Sequence, residues 1–91
     1  MKTENENPFE IGTAYFVRTL TYHIVGKLVK KTGTFLVFKD AAWVADSGRF
    51  TQAIDTGTLS EVEPVSVTVF VNTQNICDAF EWKHKLPREQ K

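Results

Sequence analysis

One cysteine, three prolines, one methionine and no net charge constrain this 91-residue chain before any pattern is read. A lone Cys77 makes an intramolecular disulfide impossible and excludes a cysteine-rich zinc cage. The five glycines stand singly, so the chain has no phosphate-cradling glycine loop. No stretch approaches the roughly 20 apolar residues that a membrane helix requires. The polar start, Met1-Lys2-Thr3-Glu4-Asn5-Glu6-Asn7-Pro8, does not read as a signal peptide. With 11 basic against 11 acidic side chains, bulk attraction for nucleic acid or membrane is excluded. The expectation is a soluble, cytoplasmic protein without a cofactor, folded as one domain around a thin core.

What is present is β-rich. Residues 14–25 are dense in β-branched and aromatic side chains and alternate, with Phe16, Leu20, Tyr22 and Ile24 on one face. Gly26 marks a bend or bulge, Thr32-Gly33-Thr34 a tight turn, and Phe35–Lys39 a strand buried on both faces or at a subunit contact. Asp46 or Ser47 is placed to cap a short helix whose apolar stripe is Phe50, Ala53 and Ile54, with Gly57 ending it. Beyond Pro64, Val65, Val67, Val69 and Val71 alternate as the inward face of a strand. Asn72–Asn75 is turn chemistry, and Ile76–Trp82 is the last strand. The pattern predicts a mainly β fold: a small, strongly bent, five-stranded antiparallel barrel of the SH3-like or Sm-like type. One short helix lies in the long loop between strands 3 and 4. Residues 1–8 read as a flexible arm, 9–86 as the barrel and 87–91 as a tail. A thin core with open sheet edges favours self-association.

Gly26-Lys27-Leu28-Val29 followed by Phe35–Ala41, with Phe70–Ile76 further on, resembles the two motifs of the Sm-like family over about half of the chain. The resemblance implies a bent five-stranded sheet whose edges pair into rings, and a capacity for single-stranded RNA. This sequence departs from the family at its RNA-reading residues. Thr32-Gly33-Thr34 lacks the expected Asp and Asn, and Asn72-Thr73 stands in place of Arg-Gly.

No residue set reads as catalytic or as a metal site. His23, His84 and Cys77 have no close-spaced partner of the kind zinc or a thiolate nucleophile needs. Glu61 and Glu63 lie on one side of an extended stretch and read as solvated. The most informative segment is 41–50, with Asp46, Ser47 and Arg49 around a glycine, where Trp43 can stack on a ligand while Arg49 and the first free N–H groups of the short helix hold an anion. The structural alternative has Trp43 filling the barrel mouth and Asp46 or Ser47 capping the helix. Tyr15, Tyr22 and Trp82 with the tail Lys83-His84-Lys85 form a second cluster, whose interleaved aromatic and basic side chains suit single-stranded nucleic acid or a protein interface. Together these residues suggest a non-enzymatic homo-oligomeric binding module, holding a protein partner or a small anionic ligand at subunit junctions. The alternative is an Sm-like nucleic-acid binder using Arg18, Tyr22, Lys83, Lys85 and Arg88. Charge is uneven along the chain: residues 1–10 hold three acids and one base, residues 81–91 four bases and two acids.

Overall fold

The structure is a computed structural model that describes residues 8–91; apart from Pro8, the arm expected over residues 1–8 lies outside the described residues. In chain order the elements are β1 (Ala14–Thr19), β2 (His23–Lys31), β3 (Phe35–Asp46), α1 (Phe50–Thr56), β4 (Glu61–Pro64), β5 (Val69–Asn72), a 3-10 turn (Thr73–Asn75) and β6 (Ile76–Glu81). The fold is mainly β and antiparallel with one α-helix between the third and fourth strands, as the sequence predicts. It has six strands rather than five, in the order β4-β3-β2-β1-β6 with β5 also on β3. Among the described residues no pairing joins β6 to β4 or β5, so the sheet is open where a closed barrel was expected.

The stretch 14–25 is a hairpin, not one strand. Thr19 Oγ1 donates to the Tyr22 carbonyl at 2.7 Å and accepts from the Tyr22 amide at 3.0 Å, closing a turn over Leu20 and Thr21. The 32–34 turn forms as predicted, with Thr32 Oγ1 accepting from the amides of Thr34 and Phe35. Strand β3 runs on to Asp46, well past the expected end at Lys39. Its register against β2 slips at one point: Val25 pairs with Ala42 but Lys27 with Lys39, so Asp40 and Ala41 together face Gly26. That is a bulge, and Asp40 sits in it with φ of 51°.

The bulge explains the sixth strand. Strands β4 and β5 run in the same direction along the same edge of β3, β4 against its C-terminal half and β5 against its N-terminal half. They are two parts of one ribbon, broken over residues 65–68 because pairing cannot continue past the bulged Asp40. Val67 therefore turns outward, 67% exposed, instead of lying on the inward face with Val69 and Val71. Cys77, expected as a small strand hydrophobe, is also exposed.

Both faces of the central strands are buried. The first face packs Tyr15, Val17, Ile24, Leu28, Leu36, Phe38, Ala41 and Val71. The second packs Phe16, Val25, Ala42, Val44, Val62 and Trp82 beneath Ala53 of α1 and Leu59. The helix stripe Phe50, Ala53 and Ile54 meets this second face, and Gly57 ends the helix in the left-handed region at φ of 81°. Neither Asp46 nor Ser47 caps its start. The N-cap position is Arg49, with no side-chain cap bond. Asp46 Oδ1 instead accepts from the Gly48 amide at 2.8 Å and forms the preceding turn.

Candidate functional site

The last ten residues position the site. Trp82 continues the β6 pairing through its amide to Ala14, and Trp82 Nε1 donates to the Lys85 carbonyl at 3.2 Å. His84 Nε2 lies 2.7 Å from the Ile54 carbonyl, one of the carbonyls left open at the end of α1. Leu86 joins the second face, and Lys91 exchanges two backbone hydrogen bonds with Val62 of β4. The segment 82–91 is thus laid across the second face from β6 to β4.

Where it crosses the broken ribbon it walls a crevice of about 640 Å³, bounded by Lys39 and Asp40 of the bulge, residues 64–68, and Pro87 and Arg88. A second hollow of about 380 Å³, lined by Lys27, His84, Lys85 and Arg88 among others, shares Arg88 with it. Lys27 and Lys39 are cross-strand partners in the β2–β3 register, which places two cationic residues at neighbouring positions on one face of the sheet. The two hollows carry four cations, Lys27, Lys39, Lys85 and Arg88, against one carboxylate, Asp40. All four cations are exposed, and among the described residues none of them has an ion-pair partner. Unneutralised cations gathered at a concave site hold an anion, and an arginine adds a two-pronged donor for phosphate or carboxylate.

The predicted residues divide. Lys85 and Arg88 come together here. Lys27 and Lys39, the other half of the site, were missed, because only the register brings them together. Trp43 is 41% exposed on β3, in a cross-strand row with Ile24 and Glu63. Its neighbours Ala42 and Val44 belong to the second face, so alternation puts Trp43 on the first face, with the sheet between it and α1. Arg49, at the start of α1, is on the other side, and the two do not make one site. Asp46 and Arg49 are exposed, and half-buried Ser47 donates weakly to the Gly48 carbonyl at 3.4 Å. Tyr22 is half-buried against the first-face core. Trp82 is 4% exposed and stacks on Phe16 at 5.9 Å between ring centroids, a core residue with no surface to offer a base. Lys83 is exposed, 3.8 Å from Glu81.

Arg18 is engaged elsewhere. Its Nε and Nη2 donate to the two carboxylate oxygens of Asp78 at 2.7 and 2.5 Å, and its guanidinium lies 4.5 Å from the Phe50 ring centroid. The hydrogen bond from Arg18 holds the Asp78 carboxyl below its ordinary range and raises Arg18 in turn. Burial lowers His23 beside them, and the Arg18 charge adds to that.

A scan against protein-family models, a search of curated proteins and a search of solved structures find no match to the chain. Among the described residues no helix is long and apolar enough to cross a membrane.

Proposed function

We propose that the chain is a non-enzymatic binding module that holds a small anionic, phosphate-class group in the crevice between the β3 bulge and the C-terminal segment. The observation that carries this is Lys39 and Arg88 at the crevice, with Lys27 and Lys85 in the adjoining hollow that shares Arg88, all four without ion-pair partners among the described residues. The crevice supplies charge and hydrogen-bond donors but no hydrogen-bonded nucleophile–base pair among the described residues, which is why binding rather than catalysis is inferred. The left-handed Asp40 at its wall fits this reading, since backbone strain tends to be kept where a ligand is met.

Nucleic acid is the second reading. The same cations favour it, and so does the resemblance to Sm-like sheets, with which an antiparallel order running from β5 through β3, β2 and β1 to β6 is compatible. It ranks lower because neither Tyr22 nor Trp82 stands at the crevice to stack on bases, and Arg18 is bound to Asp78.

The test is calorimetric titration with inorganic phosphate and with a short single-stranded oligonucleotide, in the wild type and in a Lys39→Ala, Arg88→Ala variant. Phosphate binding that weakens with salt and disappears in the variant is the expected result. Oligonucleotide binding without phosphate binding reverses the order of the two readings, and no binding of either removes both.

A further inference from the structure

The face opposite the crevice carries a pair of carboxylates beside Trp43. On β4, Val62 belongs to the second face, so Glu61 and Glu63 both project from the first. Glu63 is the direct cross-strand partner of Trp43. Both glutamates are exposed, and among the described residues neither has an ion-pair partner. An indole ring left partly open beside two carboxylates suits a guanidinium or ammonium group, which gains attraction from the ring face and from the charges together. A tryptophan in such a position is also the side chain most often found to anchor a protein contact.

The chain itself supplies what that face lacks. Lys85 and Arg88 stand on the other side of the sheet, also without partners. A pair of carboxylates and a pair of cations thus stand on opposite sides of the sheet, and complementary charges of this kind steer association. We propose that the Trp43–Glu61–Glu63 face docks on the Lys85–Arg88 rim of a second copy of this chain, giving head-to-tail association. This rests on the reading of the crevice as an anion site, and names a carboxylate-bearing partner for its rim. Such contacts join different patches of each copy, so they propagate into a ring or an open chain instead of stopping at a twofold dimer. The four cations of the two adjoining hollows exceed the two docking carboxylates and Asp40 together, which leaves the junction cationic and still able to hold a small anion.

The experiment is sedimentation of the wild type in low salt over a range of concentrations, beside two charge-reversed variants. One carries Glu61→Lys and Glu63→Lys, the other Lys85→Glu and Arg88→Glu, and circular dichroism checks that each is folded. Each variant alone is expected to self-associate at least about tenfold more weakly than the wild type. An equimolar mixture of the two is expected to regain association, because the reversed faces complement each other. A wild type that stays monomeric overturns the proposal. So do folded variants that associate as the wild type does, or a mixture that regains nothing. Phosphate titration of the Glu61→Lys, Glu63→Lys variant separates the two readings, since the four cations of the two hollows all remain. Phosphate binding without wild-type self-association overturns the docking alone, whereas loss of both removes the crevice reading as well.

Discussion

Gly26 lies against Ala41: a β-carbon at Gly26 would stand 2.8 Å from the Ala41 Cβ and 3.1 Å from its Cα. The contact is made by the bulge, which presents two β3 residues to one residue of β2. Gly26→Ala forces the two strands apart at the point where the crevice wall begins. Neither obstructing atom is the end of a flexible side chain, so the strain must be taken up by backbone. A loss of about 1–3 kcal/mol in urea unfolding is expected. An unchanged urea midpoint would mean that β2 and β3 have slack at the bulge.

A second glycine couples the helix to the segment that walls the site. Gly57 ends α1 at φ of 81°, and a β-carbon there would meet His84 Cγ at 2.7 Å. Gly57→Ala thus combines a left-handed alanine, about 1–2 kcal/mol, with displacement of the His84 ring from the Ile54 carbonyl. The stability loss is expected with faster amide exchange over residues 84–88. Exchange confined to α1, with the tail still protected, would show that His84 does not hold the tail.

Such features differ in how legible they were in the sequence. Gly57 could be read as a helix end because few other residues tolerate its conformation, and the Phe50, Ala53, Ile54 stripe named the buried side of α1. The hairpin at Thr19–Tyr22 could not, since it uses neither glycine, proline nor asparagine. A threonine hydroxyl takes the place of a turn residue. The bulge was legible only from its β2 side, at Gly26; its place in β3, at Asp40 and Ala41, was silent. Yet it decides how far β3 extends, where β4 and β5 part, why Val67 points outward, and on which side Trp43 emerges. The pairing of Lys27 with Lys39 is a matter of register, and register is fixed by tertiary packing. Half of the basic site, Lys85 and Arg88, was visible as a charged tail; the other half could be seen only once strands were paired.

The Arg18–Asp78–His23 group gives the fold two pH windows. Burial, with Arg18 adding repulsion and Asp78 opposing, keeps His23 neutral below its ordinary range. The unfolded chain therefore takes up this proton first, and stability falls as the pH drops from about 7 toward the lowered folded value. Asp78 is lowered mainly by the hydrogen bond from Arg18. Its contribution is present above about pH 4 and is lost as pH falls through its depressed folded value. Arg18 and Asp78 are 35% and 39% exposed, so solvent holds their share to about 1 kcal/mol or less. Urea midpoints measured across pH should lose the upper window in His23→Gln and the lower one in Asp78→Asn. Retention of both windows in both variants would assign them to other groups.

The two tryptophans should respond in opposite ways to the same substitution. Trp82 is enclosed by Phe16, His84 and the second-face core, and its indole N–H is satisfied by the Lys85 carbonyl. Trp82→Ala removes that packing and is expected to cost about 3–5 kcal/mol, enough to unfold a domain of this size; Trp82→Phe keeps the stacking and should remain folded. Trp43 has much of its ring in solvent, so Trp43→Ala should change stability by about 1 kcal/mol or less. Fluorescence distinguishes the residues without any ligand. In Trp43→Phe the remaining emission comes from Trp82 and should be blue-shifted and protected from acrylamide. In Trp82→Phe it comes from Trp43 and should be red-shifted and readily quenched. Under the docking proposal, quenching of Trp43 should fall as protein concentration rises in low salt, and recover when salt is added. A quenching constant independent of concentration would leave Trp43 exposed in solution and its face without a partner.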